Sequence, residues 1–290
     1  MAGNVSETLV MGAVAYDPKV VTIWDGFRAW FREQDFDFDY LLYSNYERQV
    51  EDLIAGQIHA AWNSPLAWVR ARRLGDAADI EVTAVAMRDT DRDLTSLVVT
   101  RADSGIETVE GLRGKVVGVG AVDSPQATLV PLAHLAASGL EPGTDFEVRR
   151  FDVGVGLHGD HVGGERDAAR ALMAGEVDAA CMIDGNHLAF TNEGTLPSGA
   201  TTVVARTGAY DHCNMTVVPA AAEDGVVERF AALLLSMSYD DPKVRPLLDL
   251  EGLHVWHAGR VDGYRLLEDA VDRLGFYDTA GRVTADAYRP

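Results

Sequence analysis

The densest group of chemically reactive side chains in this sequence lies between residues 158 and 165. The segment His-Gly-Asp-His-Val-Gly-Gly-Glu brings together two imidazoles and two carboxylates, those of His158, Asp160, His161 and Glu165. Histidine and carboxylate side chains are the usual components of metal sites and of general acid–base pairs. The intervening glycines allow the backbone to approach a ligand closely. This cluster is therefore the first candidate site, and a solvated polar turn is the open alternative.

The residues after the cluster have the spacing of an amphipathic helix. Ala168, Ala169, Leu172 and Met173 fall on one face of a helix that would begin near Arg166. A loop that leads into a helix N-terminus presents free N–H groups and the positive end of the helix dipole to an anion. The sequence thus predicts that the cluster lies directly in front of such a helix start.

If the protein is an enzyme, this cluster supplies its catalytic groups. His158 or His161 would be the general acid or base, and Glu165 or Asp160 would orient it. Cys213 would then act as a nucleophile or as a metal ligand. A small buried cysteine that only packs is the open alternative for Cys213.

A metal site is a second interpretation of the same side chains. His158, Asp160, His161 and His212 would hold a divalent transition metal. Their spacing matches no strong zinc pattern. His212 precedes Cys213 directly, and adjacent residues of a strand point to opposite faces, so His212 need not activate its neighbour. A histidine of the opening cluster could do so instead.

The composition restricts the class of protein. The chain has 290 residues, of which 47% are hydrophobic, and a formal net charge of −20. This acidity argues against binding to nucleic acid or to an anionic membrane surface. The sequence contains no apolar run long enough to span a bilayer. The two cysteines, Cys181 and Cys213, could pair but imply no disulfide framework.

The N-terminal sequence sets an expectation for localisation. It lacks a basic segment followed by a long apolar run, so we expect no signal peptide. As the sequence stands, the protein would be cytoplasmic. Removal of a leader would instead place it in the periplasm or outside the cell.

Hydrophobic periodicity predicts two α/β units. Strands alternate with helices in both units; the strands are expected near 9–14, 38–43, 58–62, 116–119, 146–151 and 179–183, and the helices near 20–34, 46–55, 65–72, 124–138 and 166–174. The charged segment 88–93 is expected as a solvated hairpin tip between strands 81–87 and 94–100. Arg88, at the end of a strand, is a reasonable contact for an anion.

Polar residues recur where these strands end. Open α/β sheets bind ligands at the carboxyl ends of their strands, and polar clusters at several strand ends in two units indicate a cleft between two lobes. Ser124 is a natural N-cap followed by Pro125, and the N–H groups of Gln126 and Ala127 could hold an oxyanion. The capping and oxyanion interpretations of Ser124 are compatible.

The order of several short segments resembles a known family. Segments 51–67, 96–101, 111–120 and 174–184 are similar to the periplasmic phosphonate/phosphate/phosphite-binding proteins of ABC transporters. The resemblance extends over about residues 8–275.

This resemblance implies a two-lobed, type II periplasmic-binding-protein-like α/β fold. Each lobe would be a mostly parallel sheet flanked by helices, and two crossover strands near 96–101 and 201–206 would form the hinge that closes on a ligand. Lobe 1 would comprise residues 1–98 and 204–290, and lobe 2 residues 99–203.

The resemblance, together with the strand-end positions, defines the expected ligand-binding set. Its members are Tyr16, Tyr46, Asn63, Ser124, Gln126, Thr128, His158, His161 and Asp184. Family members have a Ser/Thr-rich run at the helix start, whereas this sequence has Asp123 followed by Ser124-Pro125-Gln126-Ala127-Thr128. Asp123 would repel a phosphonate dianion if it lined the pocket. Leu94 replaces an aromatic residue that is frequent in the family.

Two functions follow as hypotheses. The first is a substrate-binding protein for a small, phosphonate- or phosphate-like anion, with an ABC transporter permease as partner if the protein is exported. The second is a cytoplasmic lyase or hydrolase that uses the same cleft, with or without a metal. No repeat, heptad or large apolar stripe supports a purely structural role.

Overall fold

In the computed structural model, which describes residues 8–160 and 162–290, the chain forms two compact units, each with its own sheet. The first unit comprises the chain up to Arg92, Asp211–Gly263 and Thr279–Arg282. The second comprises Asp93–Tyr210, Tyr264–Asp278 and Val283–Pro290. Both units are mixed α/β folds with helices against a sheet, as the sequence predicts.

The regular elements follow one another in a largely alternating order. The strands are β1 (Leu9–Val14), β2 (Phe38–Tyr43), β3 (Ala60–Asn63), β4 (Thr83–Arg88), β5 (Ser96–Arg101), β6 (Val116–Val119), β7 (Glu147–Arg150), β8 (Ala179–Ile183), β9 (Thr201–Arg206), β10 (Asn214–Val217) and β11 (Trp256–Ala258). The helices are α1 (Lys19–Glu33), α2 (Tyr46–Ile54), α3 (Pro65–Ala78), α4 (Val130–Ala137), α5 (Gly163–Ala174), α6 (Asp184–Glu193), α7 (Val226–Ser236), α8 (Arg245–Glu251) and α9 (Arg265–Leu274). None of the described helices is both long and apolar enough to cross a membrane.

The first unit is built on a six-stranded sheet in the order β11-β4-β10-β3-β1-β2. β1 pairs in parallel with β2 and β3, whereas β10 runs antiparallel between β3 and β4. One face of β1, including Leu9 and Met11, joins a core with the aromatic face of α1. On the opposite face, Gly12 leaves space for Gln49 of α2, because a Cβ there would lie 3.0 Å from the Gln49 Cγ.

The second unit contains a five-stranded sheet in the order β7-β6-β8-β5-β9. Alternate residues of its strands pack on opposite sides, as period-two strands require. Val98 and Val117 face a cluster that includes Leu135 of α4. Leu97 and Val99 face a second cluster formed with α5. The predicted crossover strands, β5 and β9, are antiparallel neighbours in this sheet.

The observed units differ from the predicted lobe boundaries at both crossings of the chain and in the C-terminal part, where Tyr264–Asp278 and Val283–Pro290 belong to the second unit instead of lobe 1. The chain passes from the first unit to the second between Arg92 and Asp93, and returns between Tyr210 and Asp211, so both crossover strands belong to the second unit. α9, which the sequence places in lobe 1, also belongs to the second unit. It packs on α4, and Leu274 contacts the core there.

The charged segment 88–93 is not the solvated hairpin tip that the sequence predicts. β4 and β5 belong to different sheets, so this segment connects the two units. Asp91 within it is buried. The prediction was wrong because a local run of charge does not reveal which charges are neutralised by residues distant in sequence.

Candidate functional site

A capped helix start follows β6 in the second unit. Ser124 accepts a hydrogen bond from the Ala127 N–H at 3.2 Å, and Pro125 opens a π-helical turn that continues into α4. The Thr128 hydroxyl donates to the Ala121 carbonyl at 2.7 Å. The capping interpretation of Ser124 is therefore confirmed. Both hydroxyl groups are buried and stabilise this helix start.

The loop that follows β7 lies directly on this helix start. Oδ2 of Asp123 accepts hydrogen bonds from the backbone N–H groups of Gly156 at 2.7 Å and His158 at 3.1 Å. The Gln126 side-chain amide donates to the Gly159 carbonyl at 2.8 Å. A Cβ at position 159 would lie 2.5 Å from the Ser124 Oγ, so only glycine fits there. The loop and the helix start therefore form one packed structure.

Asp123 is fully buried in this structure. Burial raises the pKa of its carboxyl group, and the nearby His158 together with the backbone hydrogen bonds opposes that increase. Among the described residues, Oδ1 of Asp123 has no hydrogen-bond partner, and neither has Oε1 of Gln126. The side chains at the helix start therefore offer hydrogen-bond acceptors, which do not favour an anion, whereas the backbone N–H groups and the helix dipole do favour one.

His158 lies beneath the C-terminal segment. Its side chain is buried, and its backbone has a φ of 49°, which is unusual for a residue other than glycine. Nε2 of His158 lies 3.3 Å from the Tyr288 hydroxyl, and the Tyr288 ring packs on Phe276 with centroids 5.0 Å apart. Tyr288 is a contact that the sequence did not suggest, because 130 residues separate it from His158.

The other members of the opening cluster have separate surroundings. Glu165 is buried, and its Oε2 accepts from the Ile183 N–H at 3.0 Å and from the Asn186 amide at 2.9 Å. It thereby joins the start of α5 to the start of α6. Asp160 is half-buried. His161, predicted as a catalytic, ligand-binding and metal-binding residue, lies outside the described residues.

Asp184 begins α6 at the end of β8. Its Oδ2 accepts from the Thr95 hydroxyl at 2.8 Å, and its Oδ1 accepts from the Gly185 N–H at 2.8 Å. The Arg206 guanidinium lies 3.5 Å from the same carboxylate. Asp184 thus lies at the strand-end edge of the second unit, where the sequence places it.

In the first unit, Asn63 belongs to a buried chain of polar side chains. Gln49 donates to the Asn63 Oδ1 at 2.9 Å, Asn63 donates to the Thr216 hydroxyl at 2.9 Å, and Thr216 donates to Asn214 at 2.7 Å. Tyr46 is buried at the start of α2, where Asn45 caps the helix by accepting from the Arg48 N–H. Tyr16 is half-buried after β1, and the Lys19 ammonium lies 5.7 Å from its ring centroid.

The predicted metal set is not brought together as one group in the described residues. His158 and Asp160 belong to the second unit, whereas His212 belongs to the first. His212 instead forms a buried cluster with Asp91 and Cys213, whose potential ligand atoms lie within 4.8 Å of one another. Nδ1 of His212 is 3.1 Å from Sγ of Cys213 and 3.6 Å from Oδ1 of Asp91.

This contact overturns the expectation that His212 and Cys213 point apart. Both residues precede β10, so the alternation of side chains along a strand does not apply to them. Both cysteines of the chain are free thiols, and Cys181 lies in the other unit. The hypothetical disulfide between them is therefore absent.

A positively charged side chain, Arg88, lies directly against the cluster of Asp91, His212 and Cys213. Arg88 makes a bidentate ion pair with Asp91, with N–O distances of 2.5 and 2.8 Å. Arg88 also donates to Glu251 and lies over the Trp62 ring, 5.2 Å from its centroid. Burial would raise the pKa of Asp91, but Arg88, with a smaller contribution from His212, lowers it to about 2. The donor types suit zinc, yet the carboxylate has its counter-charge in Arg88.

Arg88 therefore does not have the role that the sequence suggested for it. Its guanidinium group is committed to Asp91 and Glu251, two acidic residues of the same unit. Asp91 and Glu251 were missed by the sequence analysis. No spacing rule connects Glu251 to Arg88, because 163 residues separate them.

Comparison with known proteins places the chain in a family. Residues 12–264 match the family described as ABC transporter, phosphonate, periplasmic substrate-binding protein. No curated protein sequence matches the chain. Because the match extends over most of the sequence, the chain belongs to this family, as its sequence segments predict.

Several solved structures have a fold similar to that of this chain. PhnD1 from Prochlorococcus marinus, in complex with methylphosphonate, has a TM-score of 0.69 and 16% identity, covering 92% of this chain and 98% of its own. A Xanthomonas citri protein bound to ATP has a TM-score of 0.68 and 17% identity, with coverages of 95% and 97%. The binding protein component of an ABC phosphonate transporter from Pseudomonas aeruginosa has a TM-score of 0.60 and 14% identity, with coverages of 97% and 91%. At these identities the likeness establishes the periplasmic-binding-protein fold.

Proposed function

We propose that this protein is the substrate-binding component of an ABC transporter and that it binds a small oxyanion of the phosphonate type. The observation that carries the proposal is the family match over residues 12–264. The methylphosphonate bound by PhnD1 of similar fold supports the choice of ligand class.

The helix start at Ser124 and Gln126 is the part of the second unit to which we assign the anion. Helix N-termini attract anions through free N–H groups and the helix dipole. His158 would donate to the same anion from the loop above. Because the loop lies on this helix start, binding requires His158 and Gly159 to move relative to Gln126. Asp184 of the same unit is a further proposed contact, and Tyr16, Tyr46 and Asn63 remain predictions for the first unit.

We also propose that the protein works outside the cytoplasm and delivers its ligand to a permease. The periplasmic character of the family supports this assignment over the cytoplasmic localisation that the sequence suggests. Fractionation of cells that express the natural gene, followed by immunodetection, tests the localisation. Detection only in the cytoplasmic fraction would contradict it.

Calorimetric titration with methylphosphonate, phosphite and inorganic phosphate tests the binding function. We expect saturable binding of at least one of them by the wild-type protein. His158→Ala should weaken this binding by about tenfold or more, since a hydrogen bond to a charged group is worth about 1.5–3 kcal/mol. His134→Ala is a matched control, because His134 lies on α4 of the same unit. Absence of binding by the wild-type protein, or equal effects of both substitutions, would contradict the proposal.

A further inference from the structure

Asp123 places a buried carboxyl group at the proposed anion site. It directly precedes the N-cap residue Ser124, is fully buried, and already accepts the N–H groups of Gly156 and His158. Oδ2 accepts both of these hydrogen bonds, whereas Oδ1 has no hydrogen-bond partner among the described residues and is not used to hold the loop.

Most of the described titratable groups near Asp123 are acidic. The charged or titratable groups on the elements packed here are Asp152, His158 and Asp160 of the loop, Glu165 of α5, and Tyr288 beyond His158. Among the described groups that influence the Asp123 carboxyl group, the His158 imidazole is the one that can carry a positive charge.

We propose that Asp123 sets the charge that a ligand can carry at this helix start, so that the site accepts a singly charged oxyanion and disfavours a doubly charged one. This inference rests on the proposed function. The physical reason is repulsion between like charges, which is strong where burial removes solvent screening. A phosphonate escapes the repulsion when it binds with one proton retained, and that P–OH group can also donate to a carboxylate oxygen.

Methylphosphonate and methanesulfonate form a pair of probes that isolates the charge of the ligand. Methylphosphonate is mostly singly charged at about pH 6 and mostly doubly charged at about pH 9, whereas methanesulfonate stays singly charged. Changes in the protein's own ionisation, including that of His158, affect both probes. The ratio of the two affinities therefore reports on ligand charge.

For the wild-type protein, we expect the affinity for methylphosphonate relative to methanesulfonate to fall by about tenfold or more between the lower and the higher pH. In Asp123→Asn the fall should be less than about threefold, because the repelling charge is gone. Asp178→Asn is the matched control, since Asp178 accepts the Val116 N–H at 2.9 Å at the opposite end of β6, and it should behave like the wild type. Asp123→Ser provides a second neutral variant if the Asp123→Asn protein does not fold.

Calorimetry in two buffers of different ionisation enthalpy gives an independent readout at about pH 9. The wild-type protein should take up about one proton for each methylphosphonate bound, and Asp123→Asn should take up fewer. Equal pH dependence and equal proton uptake in both proteins would overturn the inference while leaving the proposed function intact. If the wild-type protein binds none of the oxyanions, the proposed function fails and this inference falls with it.

Discussion

The backbone N–H of His158 donates a hydrogen bond of 3.1 Å to the buried carboxylate of Asp123. This bond joins the loop after β7 to the helix start after β6, across 35 residues of sequence. It connects the residue with the clearest ligand-binding chemistry to the residue that departs most from the family pattern. A change at either residue should therefore affect both the loop and the helix start.

The carboxyl group of Asp123 should make the stability of the protein depend on pH. Burial raises its pKa, so the folded protein retains a proton at pH values where the unfolded chain has lost it. The free energy of unfolding should then fall as the pH rises from the ordinary carboxyl pKa towards the raised value. Asp123→Asn should remove this part of the dependence, since its amide oxygen can still accept the Gly156 and His158 N–H groups.

Urea denaturation of both proteins across this pH range measures the effect. Asp178→Asn, which changes a carboxylate at the other end of β6, should retain the wild-type pH dependence. If plots of unfolding free energy against pH stay parallel for the wild type and Asp123→Asn, the buried carboxyl group does not contribute to the pH dependence of stability.

A methyl group at position 159 should separate the loop from the helix start. Gly159 has a φ of 78°, and a Cβ there would lie 2.5 Å from the Ser124 Oγ. Gly143 has a similar φ of 75°, but a Cβ added there would meet no atom within 4 Å, so Gly143→Ala measures backbone strain alone. We expect Gly143→Ala to cost about 1 kcal/mol and Gly159→Ala at least about 1 kcal/mol more. Equal unfolding free energies for the two variants would contradict the close packing.

Removal of the Arg88 side-chain charge should be strongly destabilising. Arg88→Met leaves the buried carboxylate of Asp91 without its cation, which costs about 3–5 kcal/mol for a buried pair. Arg28 serves as a control, because its ion pairs with Asp25 and Asp39 are exposed to solvent and should contribute far less to stability. The double substitution Arg88→Met, Asp91→Asn should recover part of the loss. Chemical denaturation measures the free energies of unfolding. Equal losses for Arg88→Met and Arg28→Met would contradict the stabilising role of the buried ion pair.

The cluster of Asp91, His212 and Cys213 should not retain a stoichiometric transition metal. Arg88 already provides the counter-charge of Asp91, and a metal ion would have to displace it. Plasma mass spectrometry of the purified, untagged protein measures the metal content directly. One equivalent of zinc that disappears in Cys213→Ser but persists in Cys181→Ser would disprove this expectation.

Much of the fold was predictable because local sequence patterns determine where its helices and strands lie. The aromatic residues of α1 recur at helical spacing, and the short apolar run of β1 is typical of a buried strand. Ser124 followed by Pro125 is likewise a local helix-start signal, and the structure confirms the cap. Family membership was predictable from the order of short segments rather than from any one of them.

The contacts within the candidate site were not predictable in the same way. Tyr288 lies next to His158, and Glu251 next to Arg88, only because the fold brings distant segments together. The burial of Asp91 depends on this kind of contact too. The sequence could name His158 and Asp123 as unusual, but it could not show that the backbone of one is hydrogen-bonded to the side chain of the other.

The order of the strands along the chain has a consequence for folding during synthesis. All five strands of the second sheet lie between Ser96 and Arg206, so the ribosome supplies them as one continuous stretch. The first sheet must wait for β10, which inserts between β3 and β4 and is made only after that stretch. Residues 8–92 therefore emerge first, yet their sheet is completed last. Until then, β3 and β4 expose unpaired edges, which are the sites where a nascent chain is most prone to aggregate or to need a chaperone.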